Sequence, residues 1–440
     1  MIKLKKSKLF FLGGALILMM GTTVWFTYKF ITAPVVLVVG DFAGSNWDIP
    51  NWQSYRITDE AIAKFEAIHP DIKIKYLTGT PKGDYSEWLA EKIVKGNEPD
   101  VFCVLESDFN TFASIGVLKN LDSFMQDDST FDPSKMYEKA IKSGQLSGSQ
   151  YALPREVVPI LMFANKTLLA REGITVPKGD WTWNDFYQIC RKVTRDVDGD
   201  GKTDQFGTVG FDWQHAVYTD GQQLFDLRGE HAAFQKPGVI EAIQFIKKLS
   251  RLNSNTKPVA DDFDNGRVAF RPFPFSAYRA YKYYPYRLVR YAQFEWECIK
   301  LPRGPQGNNA SELYSFLMGM SSRTKHPRQA WEFLKFLTYD RKMQMNIFKY
   351  SYGVPVLREV TESKEADVEL SRYTPDKEIS VDKKILSQVI EQSTVAPRFQ
   401  KYEEAMGMAD KEIYRLINED IDIDSALQRL DIDINKSLRQ

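Results

Sequence analysis

The sequence predicts an α/β protein with two doubly wound lobes, and three observations carry that prediction. The chain has 440 residues, more than the roughly 100–200 of one ordinary domain, so two lobes are the first expectation. Hydrophobic residues make up 43% and charged residues 26%, the balance of a chain that buries a sizeable core rather than one that stays disordered. From Val35 onward, apolar β-branched runs alternate with segments of helical spacing, the pattern of a largely parallel sheet with helices on both faces.

Ahead of the first lobe, Lys3, Lys5, Lys6 and Lys8 precede an apolar run from Leu9 to Tyr28, closed by Lys29. Residues 1–33 therefore read as a signal peptide or signal anchor. The run of about 20 residues is long enough to span a bilayer, whereas the core of a cleaved signal is nearer about 7–15. An uncleaved N-terminal hydrophobic helix is the expectation, with its Lys-rich flank cytoplasmic and residues 35 onward outside the cytoplasmic membrane, periplasmic or at the cell surface. With no cysteine near the end of the run, attachment by a lipid-modified cysteine is not expected.

Val35–Val39 is a continuous apolar run and reads as a buried strand, broken by Asp41-Phe42-Ala43-Gly44. Ile57–His69 places Ile62, Phe65 and Ile68 on one helical face, and Pro70 stops it before the strand Ile72–Tyr76. Tyr85–Lys95 repeats the helix, Gly96 and Pro99 punctuate, and Asp100–Leu105 is the next buried strand. A second α/β region starts near Ile160, with helices over Trp183–Val193 and Gly238–Leu252. Val259–Leu301 returns to strand-like, aromatic-rich character, and from His326 the chain is mostly helical.

Lys plus Arg equals Asp plus Glu at 58 each, so no long-range field favours nucleic acid, and a neutral ligand fits better. Aromatic residues reach 13%. Their flat apolar faces and polar edges suit sugars, and equally suit the filling of a core. Cys103, Cys190 and Cys298 match no metal or redox spacing and read as buried small hydrophobes. In the segment from Asp196 to Asp204, Asp196, Asp198, Asp200 and Asp204 stand at the first, third, fifth and ninth positions of a calcium loop. Gly201 is at the sharp turn and Lys202 offers its carbonyl. Gly207 replaces the closing bidentate Glu. The two readings are a structural Ca²⁺ site that gives rigidity away from the cleft and a solvated acidic turn.

The order of these elements resembles extracellular solute-binding proteins of family 1, the sugar-binding group served by ABC importers. The resemblance covers about residues 35–438 and rests on Phe65–Ile74, Gly96–Phe102, Ile115–Leu121, Tyr151–Pro154, Phe163–Leu169, Trp181–Phe186, Phe263–Phe270, Gln329–Leu337 and Tyr352–Val356, in that order. It implies the type II periplasmic-binding-protein fold, a carbohydrate held in an interlobe cleft, hinge closure, ABC permease subunits as partners, a monomer, and no enzymatic activity. The implied lobes are 34–154 plus 271–338 and 155–270 plus 339–440, with crossings near 153–158, 270–274 and 338–356.

The resemblance and the rule that ligands bind at the carboxyl ends of parallel strands together nominate the site. Asp41 and Phe42 follow the first strand, Asp41 as a ligand contact or a turn residue. Glu106 and Ser107 follow the third, Glu106 as acceptor of sugar hydroxyls and Ser107 or Asp108 alternatively as a helix N-cap. Arg155 and Glu156 occupy the first crossing, where Arg155 binds an acidic sugar or neutralises Glu156. Trp213 is the preferred stacking platform, against burial in its lobe. Phe273 or Phe275 replaces a family tryptophan, Tyr314 and Ser315 begin a cleft strand, and Phe399 and Tyr402 offer C-terminal aromatic contacts. Two other functions are weighed: a glycosidase pairing Glu106 with Glu156, which lacks any nucleophile motif or His cluster, and a tethered ligand-presenting sensor or adhesion receptor.

Overall fold

Val35–Gly40 (β1) and Ile72–Leu77 (β2) pair in parallel along their whole lengths, and Val101–Val104 (β3) joins β1 on its other side. The structure, a computed structural model, describes residues 34–47, 51–226, 228–254, 256–283, 294–371, 381–397, 399 and 401–439. The expected N-terminal hydrophobic helix lies outside the described residues. Helices Tyr55–Ile68 and Lys82–Val94 link these strands, each within three residues of its expected bounds. Leu37 and Val39 of the sheet and Ala61, Phe65, Tyr85 and Leu89 of the helices are wholly buried in one apolar core.

After the hairpin of Gln145–Leu146 (β4) and Ser149–Gln150 (β5), the chain enters Ala152–Asn165 (β6), fourteen residues that are all buried. At about 3.3 Å per residue this strand is about 46 Å long, enough to belong to both lobes. Its first half pairs with Leu313–Met320 (β10) and Val354–Pro355 (β11). Its second half pairs with Val268–Pro274 (β8) and Trp296–Ile299 (β9), and Phe206–Thr208 (β7) lies parallel to β8. The change of partners falls between Pro159, opposite Leu313, and Ile160, opposite Pro274. Pro159 lacks an N–H to give to either ladder, which suits a point where one ends. This change of partners lies just past the 153–158 expected for the first crossing.

The two apolar cores divide the chain differently from the expected lobes. β8 and β9 both bond the second half of β6, so much of 271–299 stays with the second sheet. Between them, helix Phe275–Tyr283 reaches back, Arg279 donating to the Phe348 carbonyl at 2.5 Å. Residues expected in the second lobe, including Met343, Phe348, Val354, Leu386 and Ile390, pack in the core of β1 and β3. The return to the second core comes at Thr394, whose N–H bonds Ser311 O and whose carbonyl accepts from Leu313. The physical reason is the helix Pro327–Tyr339, which ends at Asp340. That residue immediately caps Arg341–Tyr350, accepting from Lys342 and Met343 N–H groups, so the second helix folds back on the same lobe. Helical periodicity says which face is apolar but not which lobe it docks on. The second core holds helices Trp183–Val193, Pro237–Ser250, Tyr402–Asn418 and Ile423–Leu438.

Candidate functional site

β1, β2 and β3 run in parallel, and β10 is antiparallel to β3, so the carboxyl ends of the first three strands share an edge with the start of β10. Between that edge and the end of β8 lies a cavity of about 380 Å³, lined from one side by Asn46, Trp47, Lys82, Glu106, Ser107, Tyr314 and Ser315 and from the other by Pro274 and Ser276. Its size falls within the roughly 300–1,000 Å³ of small-ligand sites.

Four of the residues nominated from sequence meet here: Glu106, Ser107, Tyr314 and Ser315. Helix Glu106–Ser114 starts at Glu106 itself, and neither Ser107 nor Asp108 caps it; Asp108 instead accepts from Ser86 Oγ at 2.6 Å. Ser107 is exposed to the cavity. The Ser315 backbone N–H donates to Glu106 Oε1 at 2.7 Å. Ser315 is 3% exposed, and its buried hydroxyl oxygen has no partner among the described residues. A buried hydroxyl without a partner costs about 1–3 kcal/mol, which a ligand hydroxyl against it recovers. Tyr314 packs against both cores. Burial and the nearby charges of Glu312, Glu106 and Asp212 push its phenol above the ordinary value.

Beneath the cavity, Asp41, Arg155 and Glu156 form a buried ionic group rather than ligand contacts. Arg155 Nη1 is 3.4 Å from Asp41 Oδ2, and its Nη2 is 3.3 Å from Glu156 Oε1. All three are under 8% exposed. The guanidinium also lies 3.8 Å over the Phe316 ring. Burial pushes the Asp41 carboxyl above the ordinary carboxylate range against the pull of Arg155. Arg155 is thus committed to carboxylates of its own chain, and no acidic sugar is needed to explain it. Phe42 packs edge-on to Tyr85 at 5.5 Å and is buried.

Tyr314 apart, the nominated aromatic rings are buried and do not line this cavity, since large flat side chains fill cores as readily as they line clefts. Trp213 is 6% exposed in the second core, and its indole N–H donates to Asp410 Oδ1 at 2.9 Å. Asp212 and His215 form the capping box of helix Trp213–Thr219. Phe273 and Phe275 are buried, while Pro274 and Ser276 between and after them face the cavity. Phe273 and Pro274 end strand β8 on opposite faces, and Phe275 and Ser276 open the helix Phe275–Tyr283, so the chain turns from strand to helix at the cavity wall. Phe399 and Tyr402 pack edge-on against Phe225 at 5.1 and 5.8 Å and are buried. Arg271 lies 4.0 Å over Phe273 and pairs with Asp264.

Trp47, Asn46, Lys82 and Ser276 were not nominated. The signal for the first three was the same strand-end rule, applied to the loops after β1 and β2. Those loops are bound together, Ala43 N–H donating to Thr80 O at 2.8 Å and Lys82 Nζ to Asn46 O at 2.5 Å.

At the acidic loop, carboxylate oxygens of Asp196, Asp198 and Asp204 lie within 4.8 Å of one another. Asp196 accepts from the Gly199 and Gly201 N–H groups at 2.7 and 2.8 Å, both glycines at positive φ. Asp200 turns to the Lys202 N–H at 2.8 Å. The three cysteines are buried and free. Among the described residues no helix is long and apolar enough to cross a membrane.

Residues 50–343 match the sequence profile of bacterial extracellular solute-binding proteins. An uncharacterized lipoprotein in the oleD 5′ region of Streptomyces antibioticus is 23% identical over 318 residues, 66% of each chain, and thus just under two thirds of that relative. Among solved structures, the cyclic α-maltosyl-1,6-maltose binding protein of Arthrobacter globiformis superimposes with a TM-score of 0.76 at 18% identity, covering 92% of this chain and 100% of that one. The sugar-binding protein MalE of Xanthomonas citri gives 0.75 at 17% identity, over 92% and 98%. At such identities the structures establish a shared fold.

Proposed function

Because the chain belongs to the bacterial extracellular solute-binding protein family, we propose that it is the extracytoplasmic component of an ABC importer that captures a carbohydrate in its interlobe cavity. One observation carries the reading. The cavity unites Glu106, Ser107, Ser276 and the orphaned Ser315 hydroxyl with the Trp47 and Tyr314 rings. Acceptors and donors for vicinal hydroxyls thus stand beside aromatic faces for a sugar's C–H surface. The maltosyl-maltose named for the Arthrobacter relative is in keeping with this chemistry.

The glycosidase reading finds no support: Glu156 is 1% exposed, is bound to Arg155, and does not line the cavity. A catalytic pair needs both carboxyl groups at the scissile bond. The apolar run Leu9–Tyr28 supports tethering to the membrane with the lobes outside. The Asp196, Asp198 and Asp204 cluster supports a structural Ca²⁺, an oxygen-rich donor set of the kind that hard cation takes.

The test is a thermal-shift screen of the purified protein against neutral and acidic mono- and oligosaccharides, polyols and peptides. A ligand that binds only the folded state must raise the melting temperature. A rise with a carbohydrate, lost in Glu106→Ala, is the expected outcome. A rise with peptides alone would overturn the carbohydrate assignment.

A further inference from the structure

The register of β10 against β6 runs from Phe316 opposite Glu156 to Leu317 opposite Pro154, so Arg155 is the extra residue of a β-bulge. In a regular strand, consecutive side chains point to opposite faces. Here the bulge turns Arg155 and Glu156 toward each other, Nη2 to Oε1 at 3.3 Å. The second oxygen of Glu156 is aimed elsewhere. Oε2 accepts from the Trp47 indole N–H at 3.2 Å and from the Ser351 hydroxyl. Trp47 lines the cavity and Glu156 does not.

A third element makes room for this contact. A Cβ on Gly353 would stand 2.2 Å from Glu156 Oε2 and 3.1 Å from Trp47 Nε1, so only glycine leaves the carboxylate and the indole their place. Gly353 also donates its N–H to Ser351 Oγ at 3.3 Å. Three segments distant in sequence therefore converge on one hydrogen bond to one indole.

We propose that Glu156 is a positioning residue that fixes the Trp47 ring as the aromatic wall of the cleft, with Gly353 as the residue that permits it. The proposal rests on the reading of the cavity as a saccharide site. Trp47 sits in the loop after β1, and ordering a loop side chain at the moment of binding costs affinity. A buried carboxylate is a charge-assisted acceptor, and it holds the ring before ligand arrives. Asn51 and Ser54 are held as well, Asn51 donating to Tyr350 O at 2.8 Å and Ser54 to Gly44 O at 2.9 Å. A sugar ring then meets a wall already set.

The experiment uses the full chain labelled with ¹⁵N-tryptophan, with Glu156→Gln, Gly353→Ala, Trp47→Phe and the double variant Trp47→Phe/Glu156→Gln, and maltotriose as the probe. Trp47→Phe assigns the indole resonance by its disappearance. In Glu156→Gln and in Gly353→Ala that resonance is expected to shift and exchange faster with solvent, while the other indole signals stay in place. The maltotriose Kd should rise about tenfold in either variant, the size of one lost hydrogen bond, and the double variant should bind no more weakly than Trp47→Phe alone. An unmoved Trp47 resonance, or a Glu156→Gln effect equally large without Trp47, would overturn the proposal. If the parent does not bind maltotriose, that sugar is removed from the functional reading, and the indole resonance alone decides the positioning role.

Discussion

The Ser315 backbone N–H and the Glu106 carboxylate, 2.7 Å apart, tie the start of β10 to the helix after β3 at the rim of one cavity. The bond uses one carboxylate oxygen of Glu106 and aims the side chain along the cavity wall. Glu106→Ala should weaken saccharide binding tenfold to a hundredfold, because hydrogen bonds to charged groups contribute about 1.5–3 kcal/mol. Ser315→Ala should weaken it less, by roughly the worth of one neutral bond, and should leave stability unchanged or slightly raised, since it removes a buried hydroxyl without a partner. Titration calorimetry with the saccharide found by thermal shift measures both. Equal affinity in parent and Glu106→Ala would remove Glu106 from the site.

Trp213 separates the structural reading from the sequence reading. As a stacking platform it would lose affinity on truncation and keep stability. Buried against Phe234 with its N–H on Asp410, Trp213→Ala should instead cost about 3–5 kcal/mol of stability, as large aromatic truncations in cores do. The fraction still folded should bind saccharide like the parent. Chemical denaturation and calorimetry on the same preparation check the two halves of this outcome.

The parts of the molecule legible in the sequence were those where pattern and position coincide. β1 and β3 carry uninterrupted apolar runs, β2 alternates Ile with Lys, the helices between them show a single apolar face, and the strand ends led to Glu106 and Ser107. Tyr314 and Ser315 followed from element order. The rest was hidden by distance. That Arg155 neutralises Glu156 was one of two readings of the sequence, but nothing local in Asp41-Phe42 says that Asp41 joins the pair, since it comes from a strand more than a hundred residues away. Trp47 was not nominated, and its neighbours Glu156 and Gly353 come from β6 and from the segment after helix Arg341–Tyr350. Phe273 and Phe275 show the narrowest failure. The segment reaches the cavity through Pro274 and Ser276 while both rings are buried, because the chain passes from strand β8 into the helix Phe275–Tyr283 at this point.

Asp128 gives a pH dependence. Burial would raise its carboxyl, but Lys335 Nζ at 2.6 Å, Thr130 and the Trp331 indole N–H at 3.0 Å hold it below the ordinary value of 3.8. A carboxyl lowered in the folded state adds stability above its unfolded value, and that stability is lost as pH falls from about 3.8 toward the folded value. Asp128→Asn should therefore cost about 1.5–3 kcal/mol near neutral pH. The gap between parent and variant should close as the pH is taken below about 4. Urea unfolding at a series of pH values measures it, and a gap independent of pH would mean that packing, not charge, holds the helix Pro327–Tyr339 to this loop.

The acidic loop makes the last prediction. Three like charges, two exposed and one half-buried, with oxygens within 4.8 Å repel one another, and the backbone N–H groups of Gly199 and Gly201 serve only Asp196. A divalent cation bonded to all three carboxylates offsets the repulsion and stiffens the turn that follows helix Trp183–Val193. Binding to the folded state adds about 2.7 kcal/mol when free ligand is a hundredfold above Kd, so millimolar Ca²⁺ should raise the melting temperature by several degrees and EDTA should reverse it. Asp198→Asn should abolish the Ca²⁺ response without touching saccharide affinity, because no loop residue lines the cleft cavity. A melting temperature indifferent to both Ca²⁺ and EDTA would make the loop a solvated turn, its rigidity then resting on the two glycines and the Arg195–Gln205 bridge alone.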